Sequence, residues 1–405
     1  MKLLVNVSSL KGQLSGVGRY TAEVLRALLS DTGVESIVGF DELHCYRRES
    51  LLDLLRDLDA KKINRRGRRA QIIQENVYRA AKSATRNLPG LFAIKTTVRN
   101  VNFQRLRRDS PESVYWEPNF ICHDNKGPTV ATIYDLSHLR CPQYHPAQRV
   151  KRLNLGVRKT LEVADKLTTV SEFSKRELVR LCGVSENNIA VVPPAVSDSF
   201  RHTCSPEMLA KIKCKYKLPK SYLLSVGTLE PRKNLRGLIN AFLRLPTALR
   251  RQFPLVLVGC QGWRHSEMDS VIRKLQIRGE VCRVGFVSQL DLPGVYQGAS
   301  AFAYLSYYEG FGMPIAEALA SGVPVLTSNC ASMPEVAKGS ALLANPYDPD
   351  DVFQQLQRLL LDNGPLCKEN VARGIDVTAA YTWKASARSL AKVFSGLQFS
   401  CSIPK

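Results

Sequence analysis

Two α/β modules in tandem, each built on a parallel sheet, are predicted by three features of the sequence. Short apolar runs alternate with segments of helical periodicity along most of the chain, the pattern of strands joined by crossover helices. The alternation stops at VVPPAVSDSF (191–200) and restarts at Ser221; paired prolines after a strand end favour an extended connector. A chain of 405 residues is also too long for one ordinary hydrophobic core.

The elements follow in order. KLLVNV (2–7) is the first strand; after a Gly-bearing turn in GQLSGVGRY (12–20), the apolar residues of TAEVLRALL recur at helical spacing. TVATIYDL (129–136) and KLTTVSEFS (166–174) are strand-then-turn units, the second opening the capped helix SKRELVRLC. In the second module YLLSVGTL, PLVLVG, CRVGFV, AFAYLS and VPVLTSN read as strands. NLRGLINAFLRL, SVIRKLQI, LPGVYQGAS and MPIAEALAS read as the helices between them. The predicted division is 1–200, 201–380 and a terminal helical segment, 381–405.

The net charge of +21 suits an anionic partner. Residues 61–108 concentrate it: fourteen cations, among them Arg65, Arg66, Arg68, Arg69, Arg105, Arg107 and Arg108, face the single acid Glu75, or about +13. Apolar side chains such as Ile72, Val77, Leu91 and Phe92 are interleaved. The segment reads either as a solvated helical face or as a basic amphipathic surface held on anionic lipid. No recognised nucleic-acid module accompanies the charge, so nucleic acid ranks last among these partners. No stretch approaches the roughly 18–20 apolar residues of a bilayer span. The start, MKLLVNVSSL, lacks the pattern of a secretory signal. Eleven scattered cysteines without a C-x-x-C pair argue against a disulfide framework or zinc site and suit a reducing cytosol.

Two motifs carry chemistry. In Glu309-Gly-Phe-Gly-Met-Pro-Ile-Ala-Glu317 an acid lies in a Gly-rich turn after a strand, and Pro314 suits the first turn of the helix that follows. A helix N-terminus offers N–H groups and the positive end of its dipole, so Gly312 and Met313 can meet a phosphate or a sugar. Glu317, about one turn inside, can accept hydrogen bonds from ribose hydroxyls. In Ser225-Val-Gly-Thr-Leu-Glu-Pro-Arg-Lys-Asn234, Arg232 and Lys233 precede a helix at a strand-end mouth, where cations neutralise a diphosphate. The acids of DPDD (348–351) read as a surface helix cap. The lone GVG at 16–18 lacks the third glycine and ribose acid of a dinucleotide fingerprint.

Together these motifs resemble the retaining family 4 glycosyltransferases, and the resemblance extends over nearly the whole chain. SGVGRY (15–20) is similar to the family's N-terminal glycine loop, TVSEFSKREL (169–178) to its strand-to-helix junction and VGFV (284–287) to its base-binding strand end. Trp383 fits the terminal helix that crosses back to the first domain. The resemblance implies a GT-B fold: two Rossmann-like domains facing a central cleft, with the nucleotide-sugar held mainly by the second. It is closest to bacterial O-antigen and polysaccharide mannosyl- or rhamnosyltransferases. By that resemblance the donor is a GDP-linked mannose or D-rhamnose. The acceptor is a lipid-linked glycan, met by a cytoplasmic enzyme peripheral to the inner face of the membrane.

Carried over, Glu309 binds the donor sugar's hydroxyls, Glu317 the ribose, and Lys233 the diphosphate with Arg232. Phe311, Gly312 and Met313 line sugar and phosphate through their N–H groups, and Val287 places backbone against the base. Gly16 and Gly18 let the first-domain loop approach the phosphates, and Gly227 is a further donor-binding position. Where many members carry an Arg after the strand-ending glycine, this chain has Thr228, and where many carry a His, it has Tyr134. Tyr134, Asp135 and His138 are alternative holders of that role. The resemblance implies no metal and no other cofactor, and no D-x-D stands at a strand end. An epimerase would need further cleft carboxylates and a phosphorylase a cofactor lysine, neither evident; a basic nucleic-acid-binding protein would show no sugar-nucleotide affinity.

Overall fold

The computed structural model describes residues 1–11, 14–30, 33–41, 44–63, 100–123, 127–260, 266–361 and 365–400. Among these, seven strands form the first sheet: β1 (Lys2–Asn6), β2 (Ser36–Phe40), β3 (Cys45–Tyr46), β4 (Val114–Glu117), β5 (Thr129–Thr132), β6 (Lys166–Thr169) and β7 (Ile189–Val191). Their order is β3-β2-β1-β4-β5-β6-β7, parallel except for the β2–β3 pair. Six more form the second: β8 (Leu223–Val226), β9 (Leu255–Val258), β10 (Val281–Gly285), β11 (Ala301–Tyr304), β12 (Val325–Ser328) and β13 (Leu342–Ala344). That order is β10-β9-β8-β11-β12-β13, all parallel. Strands such as LVLV of β9 are buried along their whole length because helices cover both faces of a parallel sheet.

In each sheet the order reverses at one point, between β1 and β4 and between β8 and β11. Loops leaving the carboxyl ends of strands at such a point part to either side and leave a crevice between them. The Gly227 and Glu309 loops leave β8 and β11 there.

Local signals set the helix ends. Ser171 accepts from the Ser174 amide to start the Glu172–Cys182 helix, and Gly183 ends it in a left-handed conformation. Asn234 caps Leu235–Arg244 through the Gly237 amide. Asp348 accepts from the amides of Asp350 and Asp351, the surface cap read in DPDD. The last helix, Trp383–Ser400, lies against Gly16–Ser30 of the first domain. Phe394 packs on Trp116 at 5.9 Å, and Trp383 meets Tyr20 edge-on at 5.9 Å.

Two expectations change. The glycine turn does not extend through 15–20, because the helix already begins at Gly16. A Cβ on Gly18 would lie 2.4 Å from the Ser9 carbonyl oxygen, so this glycine serves helix packing and not phosphate approach. Within the basic segment, Arg65, Arg66, Arg68 and Arg69 lie outside the described residues. Arg105 and Arg108 are exposed, but Arg107 is buried and donates to the Ser113 carbonyl, which removes it from any outer basic face.

Candidate active site

A cavity of about 340 Å³ opens at the crevice between β8 and β11, within the range of small-ligand sites. The first domain contributes Gly16, Arg19 and Tyr20, the second Gly227, Thr228, Val287, Met313 and Glu317, and the terminal helix Trp383. Gly312 caps the Met313–Ala320 helix from φ 99°, with Pro314 in the first turn, so that this helix starts at the cavity wall.

Glu317 is buried at the wall. One carboxylate oxygen accepts from Tyr296 Oη at 2.9 Å, and the other faces Arg19 Nη1 at 3.4 Å across the domains. Burial pushes its pKa above the usual carboxylate value, and Arg19 and Tyr296 offset this only in part.

Glu309 is also buried, in a different setting. Oε1 accepts from Lys233 Nζ at 2.6 Å and from Tyr304 Oη at 2.9 Å, while Oε2 pairs with Arg232 at 3.1 Å. Burial acts to raise its pKa, but the two cations outweigh it and hold the carboxyl at about 2. Tyr304 links this cluster to the cavity: its ring comes within 3.7 Å of a Cβ built on Gly227, and its hydroxyl also accepts from Lys233 at 2.6 Å.

Arg232 does not line the cavity. Its guanidinium is buried, paired with Glu230 at 2.6 Å and Glu309, and bonded to the Tyr308 carbonyl. These bonds turn part of the fork onto Glu309, while its Nε is buried without a hydrogen-bond partner among the described residues.

The domains meet beside this cluster. Ser171 and Ser174 donate their hydroxyls to the Gly310 carbonyl at 2.6 and 3.2 Å, and Glu335 accepts from the amides of Glu172 and Phe173. A Cβ on Gly310 would lie 2.1 Å from the Tyr134 carbonyl oxygen, so only glycine lets the loop dock here. Tyr134 itself donates to the Pro118 carbonyl at 2.8 Å and packs edge-on against Tyr20 at 5.3 Å. Its one hydroxyl proton is given to Pro118, which leaves the hydroxyl oxygen as an acceptor. His138 is buried, neither ring nitrogen has a hydrogen-bond partner among the described residues, and burial lowers its pKa. Asp135 accepts from the Ser137 amide at 2.9 Å and lies close enough to Arg232 to raise that group's pKa against the effect of its burial.

Residues 14–200 match the family described as Glycosyltransferase Family 4, and 211–375 that described as Glycosyl transferases group 1. The chain is 30% identical to the O-antigen chain mannosyltransferase B of Escherichia coli, over 95% of this chain and 97% of that one. The chain belongs to the family 4 glycosyltransferases. WaaG, a glycosyltransferase involved in lipopolysaccharide biosynthesis, shares the GT-B fold at TM-score 0.67 and 14% identity, with 98% of this chain and 100% of that one covered. Anabaena Alr3699/HepE, crystallised with UDP, does so at TM-score 0.68 and 15% identity, with the same coverage.

In this glycosyltransferase the structure brings Gly16, Gly227, Val287, Met313 and Glu317 onto one cavity, with Lys233 and Glu309 joined to it through Tyr304. Phe311 is buried against Tyr381 at 5.4 Å, its carbonyl accepting from Ser332. Sequence reasoning missed Arg19, Tyr20 and Tyr304. Arg19 stood in the GVGRY turn beside the glycines and was legible there as a cation at the mouth of a loop. Tyr304, inside a buried strand, carried no such signal.

Proposed function

We propose that this glycosyltransferase moves a mannosyl-type hexose, with retention of configuration, from a GDP-linked donor onto a lipid-linked glycan of O-antigen or a related polysaccharide. One observation carries the reading: the two acids of a single loop and helix stand in separate settings, Glu317 at the cavity wall beside a hydroxyl and Glu309 behind it between two cations. The choice of mannose draws on the 30% identical mannosyltransferase.

The nucleotide occupies the cavity, with its ribose on Glu317 and its base near Val287. The diphosphate lies at the Gly312–Met313 helix start and takes Lys233, which in the empty site is held by Glu309 and Tyr304. Glu309, released in part, accepts from the sugar's hydroxyls, while Arg232 and Asp135 position the cluster. The anomeric C–O bond breaks with its electron pair passing to the diphosphate. The acceptor oxygen bonds to the anomeric carbon on the same face, and its proton goes to a leaving diphosphate oxygen. Charge growing on that group is what Lys233 and the helix start stabilise. No metal or other cofactor enters the scheme. The basic composition of residues 61–108 supports a place at an anionic membrane surface, where a lipid-linked acceptor resides.

Calorimetry with GDP and UDP, followed by a donor screen on a lipid-linked acceptor with the linkage read by NMR, tests the reading. Binding of neither nucleotide overturns it. Co-sedimentation with anionic vesicles should weaken at high salt and when Arg65, Arg66, Arg68 and Arg69 become Ser; equal binding to neutral vesicles removes the membrane part.

A further inference from the structure

Three tyrosines stack at the rim of the cleft. Tyr144 of the first domain lies against Tyr307 of the second, ring centroids 5.7 Å apart at 13°, and Tyr307 lies against Tyr347 at 4.8 Å and 27°. Tyr347, the end of the stack, is 67% exposed. Tyr307 stands two positions before Glu309, and its amide donates to the Arg232 carbonyl at 2.9 Å.

The turn that carries the exposed ring is braced through its main chain. The Tyr347 amide donates to the Asn345 side chain at 3.1 Å, and the Asn345 amide to Asp351 at 2.7 Å. The intervening Pro346 carbonyl accepts from Asn234, the buried cap residue of Leu235–Arg244, at 3.1 Å. A large aromatic face kept open on a braced turn serves no purpose in the core. A pre-organised face of this kind takes a flat, partly apolar ring with little loss of freedom.

We infer that the outer face of Tyr347, backed by Tyr307 and Tyr144, is an acceptor subsite that stacks one pyranose ring of the growing glycan. This rests on the reading of the chain as a transferase acting on a glycan. The C–H face of a pyranose meets the π face of the phenol while the sugar's hydroxyls stay in water. Tyr347 lies at the exposed end of the stack and outside the nucleotide cavity, so the sugar held there is not the one that reacts but one further along the chain. The nucleotide cavity does not include any of the three tyrosines. Stacking a base is therefore not their task.

The experiment compares Tyr347→Ala, Tyr347→Phe and wild type, using α-mannobiose and α-mannotetraose as probes. Saturation-transfer NMR should show mannotetraose binding weakened about three- to tenfold in Tyr347→Ala. Mannobiose binding and GDP affinity should be unchanged. In transfer assays the KM for the longer acceptor should rise by the same factor with kcat steady, and Tyr347→Phe should keep wild-type values. Equal loss for both probes, no loss for either, or a Phe variant as impaired as Ala overturns the subsite while leaving the transferase reading intact. If neither GDP nor UDP binds the wild-type protein, the transferase reading falls and the subsite falls with it.

Discussion

Glu309 and Glu317 share one sequence motif and are both buried, yet they are driven in opposite directions. Glu309 sits between Lys233 and Arg232, whose charges outweigh its desolvation and keep it ionised down to about pH 2. Glu317 has a tyrosine hydroxyl and one partly exposed arginine, and there desolvation wins. Identical side chains thus become a permanently charged anchor for cations and a carboxyl poised to accept hydroxyl hydrogen bonds. The difference lies in neighbours supplied by other parts of the chain, not in the motif.

The largest test of that contrast is Glu309→Gln. It leaves two buried cations short of a counter-charge, which should destabilise the fold by about 3–5 kcal/mol in urea denaturation at neutral pH. Because the folded pKa is depressed, this stabilisation is present above the unfolded value of 4.5 and lost as pH falls toward about 2. The gap between wild type and variant should therefore close across that window. A gap independent of pH would place the stabilisation in packing.

Lys233→Ala comes next. Losing a charge-assisted contact to the leaving diphosphate should remove about 2–4 kcal/mol of transition-state stabilisation, or about 30- to 1000-fold in kcat/KM. Wild-type turnover in a variant with wild-type melting would break its proposed role.

Glu317→Gln should act in the opposite sense on stability. Its folded pKa is raised, so wild type loses stability as pH rises through that value, and the uncharged variant escapes the loss. The variant should melt at a higher temperature at pH 7 yet bind GDP about tenfold more weakly, a hydrogen bond to a charged group being lost. Lower melting together with unchanged GDP affinity would erase the contrast with Glu309.

The smallest effect is expected from Tyr134→Phe. It removes one hydrogen bond to the Pro118 carbonyl, worth about 1 kcal/mol, and should leave kcat unaltered. A fall in kcat at saturating substrate would return Tyr134 to the donor sugar.

Much of this architecture was legible because strand and helix periods are local. β8, β11 and the Met313–Ala320 helix lie where their apolar runs and Pro314 placed them. The paired motifs also led to one cavity, since each stands at the end of a strand at the reversal point of the sheet. What was not legible depended on contacts between distant positions. Gly18 looked like a phosphate-loop glycine until the Ser9 carbonyl was seen to occupy the space beside it. Arg232 stood beside Lys233 in the sequence as a second cation for the diphosphate, and only the fold shows it buried against Glu230, Glu309 and the Tyr308 carbonyl.

The sequence by itself determined two tandem parallel sheets and the positions of the two acids and the lysine, because hydrophobic period, turn chemistry and motif spacing act over a few residues. Tertiary structure alone decided which way each acid's pKa moves, where the Tyr134 hydroxyl bonds, and which aromatic rings stack between the two domains. Those properties follow from desolvation and from the charges within a few ångströms. Their sources are as far apart in the chain as Arg19 and Glu317, or Tyr144 and Tyr307, and meet only when the two domains fold against each other.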